Sequence, residues 1–179
     1  NGTVDIVLAK DYKGEQVPVR GKTCSTQQLP HLANKVPTFK AFANSDLEEI
    51  IGPGLKTALH LEVVEFRSGT FLNDGAGNFT FSPFENELQI SPINAILWHD
   101  FDGDQVPDLL LAGNNHMAEI ETTRLDAGIG AFLKGDKSGR FQLQSHLETG
   151  FFADRDVRHL LLVTANGRQL VWVINNNEK

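Results

Sequence analysis

The residues with the clearest chemical potential form an acidic stretch in the middle of the chain. In Asp100-Phe101-Asp102-Gly103-Asp104-Gln105-Val106-Pro107-Asp108, carboxylates occupy positions 1, 3, 5 and 9, and position 7 offers a backbone carbonyl. Oxygens at alternate positions of a tight loop suit Ca²⁺, which accepts about six to eight oxygen ligands. Without a cation, carboxylates this close would repel one another and would need another counter-charge. We therefore predict that Ca²⁺ binds this acidic loop through Asp100, Asp102, Asp104, Val106 and Asp108; the alternative is an empty acidic β-turn.

The flanks of the acidic loop predict strands. Residues 93–98 (INAILW) alternate in character, and the apolar run Leu109-Leu110-Leu111 is typical of a buried strand. An EF-hand would need a helix on each side and a Glu at the twelfth loop position, and the sequence has neither. The loop is therefore expected to connect two strands.

A second set of polar residues raises the question of catalysis. Glu119 and Glu121 lie two residues apart, with His116 and Asp126 nearby, and a glycosidase uses such a pair of carboxylates. On an exposed strand, however, acids at this spacing are usually only solvated. His99 adjoins the acidic loop and is expected to be a strand residue and not a ligand. No zinc spacing or serine-hydrolase elbow is present, so we expect no enzymatic activity.

The composition limits the partners of the chain. Its 179 residues are 40% apolar and 22% charged, which is typical of one soluble domain or part of one. A net charge of −7 argues against nucleic acid or an anionic membrane as partner. No apolar run approaches a membrane span, and the single Cys24 cannot form an internal disulfide. Because the chain begins at Asn1 without a Met, we expect it to derive from something longer.

Most apolar segments are short and separated by Gly and Asn, which predicts many short strands. Helical signals are confined to residues 27–59, where a helix is expected over 38–44 and a capping box at Ser45-Asp46-Leu47-Glu48, with Ser45 as N-cap. We interpret this segment as an insertion that packs against a sheet. The apolar residues expected to make that contact are Leu32, Phe39, Phe42, Leu47 and Ile50.

Internal repeats organise the rest of the chain. Residues 4–9 (VDIVLA) match residues 107–112 (PDLLLA), with a weaker copy at residues 158–163 (RHLLLV). Residues 71–79 and 132–141 each read as a strand, a Gly-rich turn and a strand opening on Phe, which is a hairpin pattern. A four-stranded unit that recurs about every 50 to 60 residues is typical of a β-propeller blade.

The acidic loop followed by Leu-Leu-Leu-Ala resembles the FG-GAP/VCBS repeat, the calcium-loop blade of integrin-α-type β-propellers. Residues 17–30 and 112–122 are similar to bacterial secreted VCBS-repeat proteins related to cartilage acidic protein, and the resemblance covers nearly the whole chain. The family usually has Gly at the sixth loop position, where this chain has Gln105. The first repeat has only Asn1 and Asp5, and the third (residues 154–159) has lost the pattern, so we expect one Ca²⁺.

The resemblance implies that residues 1–179 are the C-terminal segment of a longer protein: a mainly β propeller fragment of about two to three blades with a short helical insertion. It also implies a secreted, periplasmic or cell-surface location and a role in binding, adhesion or scaffolding. The expected partners are the remaining blades and an extracellular protein or glycan ligand, without nucleic acid or a membrane span. The alternative is the end of a propeller enzyme acting on polysaccharide. Uncovered blade faces would make the fragment self-associate.

Overall fold

The computed structural model describes residues 4–118 and 122–177. They form two compact units that divide between Val63 and Val64. Strands outnumber helices and pair into several small antiparallel sheets, so the prediction of a mainly β fold is confirmed at this level. Within the described ranges, no helix has both the length and the apolar character that a membrane span requires.

The first unit joins a hairpin to a set of short helices. Strands β1 (Ala9–Tyr12) and β2 (Glu15–Pro18) pair around Lys13 and Gly14, both of which have positive φ. The helices that follow are α1 (Lys22–Gln28), α2 (Leu32–Lys35), α3 (Phe39–Ala43) and α4 (Leu47–Ile51), and a 3₁₀ helix (Gly52–Thr57) continues from α4. Of residues 4–9, which the sequence matches to residues 107–112, only Ala9 lies in a strand, and Val4 is 93% exposed.

The cap of α4 lies one residue after the predicted position. The Asp46 carboxylate accepts the Glu49 amide at 2.7 Å, and the Glu49 carboxylate accepts the Asp46 amide at 3.3 Å. The Ser45 hydroxyl instead donates to the Ala41 carbonyl of α3 at 3.0 Å, because Ser45 directly follows the C-cap of that helix, Asn44. The prediction of Ser45 as N-cap is therefore wrong, although the capping-box pattern itself is present.

The helices of the first unit bury a small core of their own. Leu32, Val36, Phe42 and Ile50 form one apolar cluster, Leu47 is also buried, and α4 contacts β2. Phe39 was expected in the same layer but is 69% exposed, with the Lys22 ammonium over its ring. Residues three apart share a helix face, but Phe39 is the first residue of α3, and the buried cluster includes Phe42 and not Phe39, which is left exposed.

The second unit contains the larger sheet and two hairpins. Its strands are β3 (Gly69–Asn73), β4 (Phe79–Pro83), β5 (Ile93–His99), β6 (Asp108–Gly113), β7 (Ala131–Gly135), β8 (Phe141–Leu143), β9 (Val157–Ala165) and β10 (Arg168–Asn175). A 3₁₀ helix (Asn86–Leu88) precedes β5 and a short helix α5 (His146–Thr149) follows β8. Strands β5 to β8 form one antiparallel sheet in sequential order, while β3–β4 and β9–β10 form separate hairpins.

The two hairpins predicted at residues 71–79 and 132–141 are confirmed, and one carboxylate shapes each turn. Asp74 accepts the amides of Ala76 and Asn78, at 2.7 and 3.2 Å. Asp136 accepts those of Ser138 and Arg140, at 2.7 and 3.0 Å. Hydrogen bonds to the charged form, led by the Asn78 side chain at Asp74 and the Ser138 hydroxyl at Asp136, lower the pKa of both.

Both faces of the four-stranded sheet are packed, which explains why β6 is buried along its whole length. On one face, Ala95, Leu110 and Ala112 meet Val157 and Leu160 of β9. The opposite face forms a second cluster with apolar residues of the β4–β5 segment; its buried members are Leu109, Leu111, Ala131 and Leu133. The β6 strand therefore anchors the acidic loop that immediately precedes it.

Candidate metal centre

The acidic loop is the turn of the β5–β6 hairpin. His99 and Asp108 face each other as the last paired residues, so the residues between them cross from one strand to the next. The Asp100 carboxylate lies under this turn and accepts the amides of Gly103 at 2.7 Å and Gln105 at 2.9 Å. Asp100 therefore fixes the path of the loop backbone from its first position.

Asp102 and Asp104 also accept backbone amides of the loop, one each. Asp102 accepts the Asp104 amide through Oδ1 at 3.1 Å, and Asp104 accepts the Val106 amide through Oδ1 at 2.8 Å. Each uses one carboxylate oxygen on the backbone two residues ahead, as in an Asx turn. Their Oδ2 atoms lie on the side of the loop that faces β7.

Asp108 ties the loop to the neighbouring strand. Its side chain is fully buried, and it accepts the Phe101 amide through Oδ2 at 3.0 Å and the Gly135 amide through Oδ1 at 2.9 Å. A Cβ at Gly135 would collide with the Pro107 carbonyl, so glycine permits this close approach of β7 to the loop. The buried carboxylate is thus held by two amides from two different segments.

Three of the predicted ligands converge. Asp100, Asp102 and Asp108 each offer one carboxylate oxygen, and these oxygens lie within 4.8 Å of one another. Asp104 does not belong to this group, although it lies beside Asp102 in the same loop. Val106 enters the hydrogen-bond network through its amide. The donor set is all oxygen, as a hard cation such as Ca²⁺ prefers, and each carboxylate retains lone pairs beyond those its amide bonds use.

The loop adopts left-handed backbone at two positions. Gly103 has φ 81° and Gln105 has φ 67°, so the position where the resembled family has Gly does require the conformation that glycine favours. Gln105 adopts it at some cost, and the bond from its amide to Asp100 helps to hold it there. The loop therefore keeps its shape with a residue that is unfavourable at that point.

A lysine that the sequence did not indicate completes the site. The Lys134 ammonium, from β7, contacts Oδ2 of Asp102 and lies 3.2 Å from Oδ2 of Asp104. Its hydrogen bond to Asp102 lowers the pKa of that carboxyl, and the two aspartates raise the pKa of Lys134. Lys134 is the counter-charge that an acidic loop without a cation needs. Sequence spacing could not reveal it, because Lys134 reaches the loop only through the β6–β7 register.

The other candidate residues that the structure describes are not members of the three-aspartate group. His99 is a strand residue as predicted, with Nε2 3.3 Å from the Gln169 amide oxygen. Asp126 pairs with Arg124 at 3.2 Å on the surface. The His116 amide donates to Asp156 at 3.4 Å. Glu119 and Glu121 fall outside the described residues.

Comparison with known proteins adds no further constraint. No protein-family model, curated protein or solved structure matches this chain.

Proposed function

We propose that the acidic loop binds one Ca²⁺ and that the ion has a structural role. The observation that supports this most directly is the convergence of carboxylate oxygens from Asp100, Asp102 and Asp108 within 4.8 Å. Asp104 and the Val106 carbonyl are the further ligands that the loop spacing predicts. A Ca²⁺ held by these residues would neutralise the acids and brace the β5–β6 turn against β7.

We further propose that the chain belongs to an FG-GAP/VCBS-type β-propeller. A propeller blade is a four-stranded antiparallel sheet. The larger sheet of this chain also has four antiparallel strands, in the sequential order β5, β6, β7 and β8. The calcium loop of the resembled repeat precedes the strand with the Leu-Leu-Leu-Ala sequence, which is where the acidic loop precedes β6. The position of the acidic loop before β6 in this four-stranded sheet supports the proposal.

The role that fits these features is binding, adhesion or scaffolding outside the cytoplasm: secreted, periplasmic or at the cell surface. Calcium loops of extracellular modules bind with dissociation constants of about 0.1 to 1 mM, which suits compartments where Ca²⁺ is abundant. The proposed partners are the other blades of a longer protein and an extracellular protein or glycan.

Calorimetric titration of the purified chain with CaCl₂ tests the ion assignment. Asp102→Asn is the most informative variant, because Asp102 is exposed and its Oδ1 bond to the Asp104 amide can survive as an amide carbonyl. We expect one site in the wild type and binding at least about tenfold weaker in this variant, since a charged ligand is lost.

Asp11→Asn is the matched control. It removes the same charge from an exposed position on β1, in the other unit, and should leave the titration unchanged. The proposal fails if the wild type releases or absorbs no heat of binding up to several millimolar Ca²⁺. Equal weakening by both variants would also contradict it, because the effect would then reflect net charge and not this loop.

A further inference from the structure

Lys134 contacts two of the carboxylate oxygens that the proposed calcium ligands offer. Its ammonium contacts Oδ2 of Asp102, while Oδ1 of Asp102 is already engaged with the Asp104 amide. The Asp104 carboxylate is bound in the same way: its Oδ1 accepts the Val106 amide, and its Oδ2 lies 3.2 Å from the Lys134 ammonium. For these two residues, the oxygens not engaged by the loop backbone are those that face the lysine.

The Lys134 side chain can move away from Asp102 and Asp104 without disturbing the strand. About half of its side chain is exposed (44%), and it is the one cationic side chain that contacts these carboxylates among the described residues. The backbone amide of the next residue, Gly135, donates to Asp108, and this bond does not depend on the position of the Lys134 ammonium. The strand can therefore keep its place while the lysine side chain swings into solvent.

A divalent ion and the ammonium cannot share these oxygens without strong repulsion, since like charges a few ångströms apart repel. The backbone bonds of Asp100 and Asp108 do not create this conflict, because amide donors and a cation can use different lone pairs of one oxygen. Competition is therefore confined to Asp102 and Asp104.

We propose that Lys134 is an internal competitor for the calcium site. It neutralises Asp102 and Asp104 when no ion is bound, and Ca²⁺ must displace it, so Lys134 weakens calcium affinity and sets the concentration at which the loop responds. This inference rests on the proposed calcium site and adds to it how the site is regulated.

The test is calorimetric Ca²⁺ titration of Lys134→Met beside the wild type. Methionine keeps the apolar stem of the side chain but removes the ammonium, so we expect binding about tenfold tighter, from the loss of one unit charge near a divalent ion. Lys134→Arg keeps the charge and should bind within about threefold of wild type, whereas a general loosening of the strand would alter both variants.

Lys137→Met is the control for net charge. Lys137 lies in the exposed turn between β7 and β8, has no ion pair within the described ranges, and its loss changes the chain's charge by the same amount. It should leave the affinity unchanged. Circular dichroism of each variant shows whether the fold is intact; should Lys134→Met not fold, Lys134→Gln replaces it and carries the same expectation.

The outcomes separate this inference from the proposed function. If wild type and Lys134→Met bind Ca²⁺ equally well, the competitor role is wrong and the calcium site stands. If Lys134→Met binds more weakly, Lys134 supports the loop and does not oppose the ion, which also overturns the inference. If neither binds and Lys134→Gln does not bind either, the calcium site itself is refuted.

Discussion

Replacing Asn114 should destabilise the second unit more than any exposed substitution can. Asn114 follows β6 with its side chain fully buried and its backbone at φ 77°. Its amide nitrogen donates to the Gly128 carbonyl at 2.8 Å and the Asp154 carbonyl at 2.9 Å. Its amide oxygen accepts the Gly128 amide at 2.9 Å and the Ser91 hydroxyl. One side chain thus joins three separate segments to the end of β6.

The expected magnitude for Asn114→Ala follows from these contacts. Each lost hydrogen bond contributes about 0.5–1.5 kcal/mol net, and buried backbone groups left without partners raise the loss further. Alanine at positive φ adds about 1–2 kcal/mol of strain, which asparagine tolerates better. For the four hydrogen bonds and the strain together, we therefore expect the free energy of unfolding to fall by roughly 3–8 kcal/mol.

Two further variants separate the hydrogen bonds from the backbone strain. Asn114→Gly loses the same bonds without the strain and should be about 1 kcal/mol less destabilised than Asn114→Ala. Asn166→Ala tests strain alone, because Asn166 lies in the exposed β9–β10 turn at φ 53°. It should lose only about 1–2 kcal/mol.

Urea unfolding followed by tryptophan fluorescence measures these differences. Both tryptophans, Trp98 in β5 and Trp172 in β10, belong to the second unit, so the signal reports the unit that contains Asn114. The reasoning is refuted if Asn114→Ala loses no more stability than Asn166→Ala, since the buried hydrogen bonds would then contribute nothing.

Two other predictions use the same kind of measurement. Asp46→Ala should reduce the helical circular dichroism signal and lower the free energy of unfolding in urea by about 1 kcal/mol, as loss of an N-cap does. Ser45→Ala should lower the free energy of unfolding by less, and the reverse order would contradict the observed cap. Asp156 is 1% exposed, and although burial raises its pKa, bonds from the Asn176 side chain, the His116 amide and Arg158 outweigh this and lower it below the ordinary 3.8. The stabilisation from Asp156 should thus be present above about pH 4 and be lost as pH falls through the folded-state pKa. Unfolding free energies from pH 5 to 2 should therefore fall less steeply in Asp156→Asn than in wild type, and equal slopes would contradict this assignment.

Local patterns predicted much of the second unit correctly. The two hairpins and the strands that flank the acidic loop follow from the alternation of residues and from turn chemistry, which neighbours in sequence determine. The left-handed backbone at Gln105 lies where the resembled family has Gly, so the resemblance marked this position and the local pattern did not. The repeat match at residues 4–9 did not predict the bounds of β1, which begins only at Ala9, although the Leu8 carbonyl accepts the Val19 amide at 2.9 Å.

Features that depend on residues outside the sequence motif itself could not be predicted. The choice between Ser45 and Asp46 as cap depended on where the preceding helix ended. Lys134 reaches the acidic loop through the register of β6 and β7, and Asn114 depends on segments 14 and 40 residues further along the chain. Sequence spacing therefore indicated the acids of the loop but not the lysine that balances them.

The most direct test of the calcium site is a titration of ¹⁵N-labelled protein with CaCl₂, followed by amide chemical shifts. The amides of Gly103, Gln105 and Gly135, which bond to Asp100 and Asp108, should shift together and saturate with one ion per chain. The amides of Ala76 and Asn78, at the similar acidic turn of Asp74, should not move. Shifts of equal size at both turns, or none at the acidic loop at several millimolar Ca²⁺, would contradict a calcium site there.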